Sequence, residues 1–108
     1  MARNIVKADQ KKFAHGGFLV LSSQGELFNH VDDGLPMWTG HGDRKVTEEI
    51  VFLSPFAAAP MVNVALCGID ASHEQNLRMT VQPKSITRKG FVVEFATWGD
   101  TRIARASV

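Results

Sequence analysis

Apolar and polar residues alternate with period two over short runs that Gly, Pro, Asn, Asp and Ser interrupt, while helical spacing is weak almost everywhere. That is the pattern of an all-β domain. Strands are predicted at Phe18–Ser22, at Glu26–His30 after the turn SSQG, and at Glu49–Phe52, Met61–Cys67, Leu77–Pro83 and Phe91–Trp98, with a last one starting near Ile103. Within the fifth run Leu77, Met79 and Val81 point one way and Arg78, Thr80 and Gln82 the other, so one face is buried and one polar. The run GFVVEFATW is apolar on both parities, as expected of a strand in the middle of a sandwich or covered by a neighbouring subunit.

Between these runs, Arg88-Lys89-Gly90 reads as a hairpin turn with the glycine at positive φ. Pro55 and Pro60 bracket PFAAAP, where direction is set rather than a ladder formed. Residues 31–47 carry glycines, a proline and mixed charge without period, which predicts a long loop of the kind that often bears function. Residues 1–17 are polar and read as an N-terminal arm or lead segment. Residues 18–108 are the domain.

With 108 residues there is room for one small domain. Twelve basic and eleven acidic residues leave a net charge of +1, and the basic clusters Lys11-Lys12 and Arg88-Lys89 are too short to track phosphates, so nucleic acid is disfavoured as a partner. The single Cys67 sits in the apolar run MVNVALCGI and reads as a small buried hydrophobe. No apolar run is long enough to span a bilayer, and the N-terminus lacks the apolar core of an export signal. The expectation is a protein that is cytoplasmic as synthesised, then retained, released or built into a larger particle, without membrane insertion.

Catalytic and metal chemistry find little support. Histidines 15, 30, 41 and 73 are scattered singly, and His41-Gly42-Asp43 has no spaced partner to complete a metal site. There is no nucleophile elbow, phosphate loop or tyrosine, and Asp32 and Asp33 point apart if extended, unlike the flanking carboxylates of a glycosidase. Neither metal nor cofactor is expected, and the chain is read as a non-enzyme. Binding fares better: Arg78 on a polar strand face, Trp98 at a strand end and Asp43 with Arg44 in GHGDR are parts of a shallow sugar site, in which an aromatic face meets the C–H-rich side of a sugar and charged forks grip its hydroxyls. Alone they are weak evidence: a tryptophan at a strand end is more often core than ligand platform, and an arginine on a solvated strand face usually pairs with a neighbouring acid.

The order of motifs adds to this. An F-x-x-P-F segment, then P-x-V-x-V-x-L with an I-D pair, then N-L-R-x-x-V, then G-F followed by T-W-x-D-T together resemble the H-type lectin domain over about residues 50–104. Residues 20–48 match more weakly through S-Q-G-E-L-F and G-x-G-D-R. The resemblance implies a six-stranded antiparallel β-sandwich assembling as a homotrimer, in some members a pair of trimers forming a hexamer. It further implies sites between subunits for glycans ending in galactose or N-acetylgalactosamine, serving adhesion or cell-surface recognition. Carried over, Arg78 is the sugar-contacting arginine and Trp98 the aromatic contact, here expected to come from the adjacent subunit. Gly40 and Asp43 are the nearest candidates for a Gly-x-Asp loop.

Gly99 belongs to the same carbohydrate-binding set but stands where some relatives have histidine, and Ala104 where they place a second aromatic. Trp38 and His41 are secondary candidates to replace what is lost. The family's last strand carries a further Trp, whereas this sequence stops at Val108; the expectation is either a truncated last strand, which would expose a sheet edge, or one that is unusually short. The competing expectation is a structural trimeric subunit or adhesion tip of a larger particle, for example phage-tail-like, that keeps the fold and has lost or altered the sugar site.

Overall fold

The computed structural model describes residues 10–31 and 34–108. Asp32 and Asp33, weighed above as a carboxylate pair, lie outside the described residues. Among the described residues, all regular structure is antiparallel β except one short helix. The elements are β1 (Lys11–His15), β2 (Phe18–Ser22), β3 (Glu26–Asn29), α1 (Pro36–Thr39), β4 (Arg44–Val51), β5 (Gly68–Ala71), β6 (Met79–Lys84), β7 (Gly90–Thr97) and β8 (Ile103–Ser107).

Two three-stranded sheets, β3-β8-β5 and β4-β7-β6, form the sandwich, and β1 and β2 make a separate two-stranded hairpin. β7 is the central strand of its sheet, which explains its apolar character on both parities. Val93, Phe95 and Thr97 are buried inward, and Val92, Glu94 and Ala96 are half-covered on the outer face. Leu27 and Phe28 of β3, Ile103 and Ala106 of β8, Ile50 of β4, Val93 and Phe95 of β7 and Met37 of α1 form the core. Phe28 and Phe95 meet edge to face at 5.2 Å across the two sheets, the geometry that ring quadrupoles favour. His30 is a core histidine: its ring lies 4.9 Å from that of Phe28, and its Nδ1 accepts the backbone N–H of Met37 at 3.2 Å.

Several expectations are corrected. Residues 61–66 form no strand; they are extended, with Val62, Val64 and Leu66 turned inward and Met61, Asn63 and Ala65 outward. Cys67 continues the outward parity and is exposed, not buried. Leu77 is likewise exposed, because the ladder of β6 begins only at Met79. The long loop 31–47 contains α1 and the first residues of β4, and β4 starts at Arg44 rather than Glu49 because all of Arg44–Val51 pairs with β7.

Gly90 is not at positive φ. It is needed because a Cβ there would strike the backbone carbonyl oxygen of Ile50 on the neighbouring strand, and the left-handed residue of that connection is Ser85, at φ 52°. Within the segment read as the lead, Lys11–His15 is β1, paired with β2 through the turn Gly16-Gly17. The hairpin makes few contacts with the other strands, and the molecule measures 50 × 21 × 19 Å.

Candidate functional site

The end of the β4-β7-β6 sheet brings the sequence candidates together. Thr97 is paired with Arg44 on one side and Met79 on the other. One step further along the same registers stand Asp43, Trp98 and Arg78. Since Thr97 points into the core, period two turns Trp98 to the outer face, where it is 41% exposed. A shallow cavity of about 440 Å³ lies here, lined by Asp43, Arg44, Lys45, Ala96, Thr97 and Trp98. The loop expected to face Trp98 across a subunit boundary is therefore beside Trp98 in the same chain.

On the other side of Trp98, the guanidinium of Arg78 is half-buried and donates from Nη1 to Asp100 Oδ1 at 2.9 Å. One of five guanidinium N–H groups is thereby engaged, which leaves donors for a ligand. The backbone of Arg78 is clamped: the Thr97 hydroxyl donates to its carbonyl, and its N–H donates to the Thr101 hydroxyl at 3.1 Å. Thr101 in turn donates to the carbonyl of Asn76 at 2.5 Å. Both threonines of TWGDT thus hold the NLR segment.

Gly99 adopts φ +70°, and a Cβ there would sit 3.4 Å from Nη1 of Arg78. The absent side chain leaves Arg78 room, and the left-handed backbone suits glycine. Its carbonyl accepts the N–H of Gly42 at 2.9 Å and Nη2 of Arg44 at 3.1 Å.

Arg44 is the residue whose role the sequence did not reveal. Besides Gly99 it donates to the carbonyls of Gly42 at 2.9 Å, Pro36 at 3.1 Å and Gly40 at 3.2 Å. It ties α1, the glycine loop and the β7–β8 turn into one unit, and burial holds its guanidinium below its ordinary pKa. The clue available in the sequence was an arginine flanked by loop glycines, whose bare carbonyls a guanidinium fork fits.

Gly40 serves the same unit: its N–H caps α1 on Pro36 O at 2.7 Å. A Cβ there would meet that oxygen at 2.5 Å and the Arg44 Cδ at 2.8 Å. Asp43 and His41 are exposed, but only Asp43 lines the cavity. Trp38 is half-buried on α1 and does not line it. Ala104 is buried and does not line the cavity either.

Comparison with known proteins agrees with this architecture. The sequence profile of the H-type lectin domain matches residues 47–108. The chain is similar to the protein named ATP synthase subunits region ORF 7 of Fuscovulum blasticum, with 46% identity over 79 residues, 73% of this chain and 69% of that protein. It is also similar to discoidin-2 of Dictyostelium discoideum, with 34% identity over 67 residues, 60% of this chain and 26% of that one. Among solved structures, wild-type discoidin II from Dictyostelium discoideum superposes with a TM-score of 0.68 at 22% identity, over 79% of this chain and 32% of that chain. The match thus spans under a third of the discoidins.

Proposed function

Because the chain belongs to the H-type lectin domain family, we propose that it is a carbohydrate-binding module whose site is the row Asp43–Trp98–Arg78 at the end of the β4-β7-β6 sheet. That row carries the reading: the exposed indole stands between the strand positions of a carboxylate and a guanidinium, with Asp43 and Trp98 lining the cavity and Arg78 outside its lining, on the far side of Trp98. A pyranose stacks its C–H-rich face on Trp98, and the free N–H groups of Arg78 and the carboxylate of Asp43, one strand to either side, take hydroxyls at opposite edges of the ring. This geometry suits galactose or N-acetylgalactosamine, whose axial hydroxyl leaves one face apolar. No step of bond making or breaking is required.

Single sites of this depth bind weakly, and a homotrimer or hexamer that presents several sites to one glycan surface supplies the avidity that adhesion needs. Adjacent subunits then wall the open side of the cavity. The test is a glycan array with the full chain, run beside light scattering. Signal on terminal galactose and N-acetylgalactosamine glycans that disappears in Trp98→Ala and Arg78→Ala supports the reading. A stable trimer silent on every glycan would replace it with the structural reading, which the engagement of Arg78 by Asp100 favours.

No helix among the described residues is long and apolar enough to cross a membrane.

A further inference from the structure

Next to the row Asp43–Trp98–Arg78 the same sheet presents a second one. Lys45 of β4 and Thr80 of β6 are both paired with Ala96 of β7, and period two places all three on the outer face with Trp98. The step from Trp98 to Ala96 is two residues of strand, about 7 Å. Ala96 carries only a methyl group, so the cavity floor continues from the indole along β7, and Lys45 and Ala96 line it together with Asp43 and Trp98. Thr80 is exposed on the opposite flank of Ala96, outside that lining.

The charge along this floor is uneven. The Lys45 side chain is 67% exposed, and its Nζ stands 3.7 Å from Glu94 Oε1, beyond ordinary hydrogen-bond length. Glu94 has a nearer ammonium in Lys84, at 3.1 Å. Lys45 is therefore held loosely, and its three N–H donors can turn to a ligand. Two cations, Arg44 and Lys45, and one carboxylate, Asp43, line the cavity. Arg44 spends its donors on carbonyls, so Lys45 is the lining cation that offers both charge and hydrogen bonds.

We propose that the site selects sugars that carry an anionic substituent, a sulfate ester or a carboxylate, seated over Ala96 between Lys45 and Thr80. The inference rests on the carbohydrate reading of the neighbouring row, since the ring must stack on Trp98 for its substituent to reach Ala96. Lys45 gives the anion a charge-assisted hydrogen bond and Thr80 a hydroxyl donor, whereas a neutral hydroxymethyl group in the same place gains only the weaker neutral kind. Asp43 fixes the polarity: its carboxylate accepts from hydroxyls at the Trp98 end and repels an anion there. Because Lys45 and Thr80 are open to water, the preference is modest and salt-sensitive.

The probes are methyl galactoside, its 3-sulfate and 6-sulfate, and methyl galacturonoside, titrated into the isotope-labelled full chain and followed by NMR. At low ionic strength at least one anionic sugar is expected to bind about three- to fivefold more tightly than the neutral one. The advantage should vanish in about 0.5 M sodium chloride, where screening acts within a few ångströms. Lys45→Gln should abolish the advantage while the neutral sugar's affinity and the thermal midpoint stay as in wild type, because the side chain is exposed. Lys89→Gln removes the same charge at the turn before β7, remote from Trp98, and should leave the advantage intact.

Binding of the neutral sugar with no gain for any anionic one, or a gain that survives Lys45→Gln, would overturn the anion preference and leave the sugar site standing. Binding of no galactoside, charged or neutral, would overturn both. Inorganic sulfate bound as tightly as the sulfated sugars would mark a bare anion site and overturn the proposal as well.

Discussion

The backbone N–H of Arg78 donates to the hydroxyl of Thr101 at 3.1 Å, across 23 residues of sequence. The NLR segment leading into β6 is thereby fixed to the turn that follows Trp98, so the backbone itself holds the arginine and the tryptophan in their mutual position. Thr101 is only 1% exposed, and its hydroxyl is saturated by Arg78 and Asn76. Thr101→Val keeps the shape and removes both bonds. It is expected to lower the unfolding free energy by about 1–3 kcal/mol and to weaken galactoside binding as well, measured by urea denaturation and calorimetric titration.

Trp98→Ala separates the site from the fold. The indole is substantially exposed, so the melting temperature should stay within a few degrees of wild type. Affinity for an N-acetylgalactosamine-bearing glycan should fall about tenfold, the worth of an aromatic contact of roughly 1.5 kcal/mol. Arg78→Lys keeps the charge but loses the planar fork, and on the same array should bind nearly as poorly as Arg78→Ala.

Arg44→Met tests the tie between loops. Four carbonyls from Pro36, Gly40, Gly42 and Gly99 share this guanidinium, and methionine offers them nothing. The variant should be destabilised by about 2–3 kcal/mol, in line with hydrogen bonds to a charged donor. Its signature beyond stability is faster hydrogen exchange at the Gly42 amide, which donates to Gly99. Unchanged exchange there would show that the loop holds its place without Arg44.

Gly40→Ala asks the same of the backbone. The new Cβ would press on the Pro36 carbonyl at 2.5 Å, and a backbone atom cannot swing aside as a side chain can. Overpacking of this kind costs about 1–3 kcal/mol, and the loss should be visible as a lowered thermal midpoint together with a displaced Asp43 resonance in a carboxylate-resolved NMR spectrum.

Glu94 governs a pH effect. Its carboxylate, 13% exposed on the outer face of β7, lies 3.1 Å from Lys84 Nζ and 3.7 Å from Lys45 Nζ. The hydrogen bond from Lys84, followed by the charges of both lysines, holds its pKa below the ordinary value. A depressed pKa means that the folded state gains from the charged form: the contribution is complete above the unfolded-state value of about 4.3 and is lost as pH falls through the lower folded value. Glu94→Gln should therefore be less stable at pH 7 and show a flatter decline below pH ~4, read from urea midpoints at the two ends.

Alternation alone carried a good part of the fold. The all-β class, the central position of β7 and the inward set Val93 and Phe95 follow from period two, because a strand's own side-chain directions are a local property. The ordered motifs carried the family, and with it Arg78 and Trp98. What alternation could not carry was pairing. Residues 61–66 alternate as well as any strand here yet bond no neighbour among the described residues, since a ladder needs a second backbone and that partner is nonlocal.

The site divides the same way. Residue types named its members, and the sequence by itself determined that an indole, a guanidinium and a carboxylate were available. Only the tertiary structure put Asp43, Trp98 and Arg78 in one row, through the registers of β4 and β6 on β7. It also turned Asp100 and Thr101 from turn residues into the partners of Arg78 and gave Arg44 its four carbonyls. Such contacts span up to 55 positions of chain, and their geometry exists only after the two sheets have closed on the Phe28–Phe95 core.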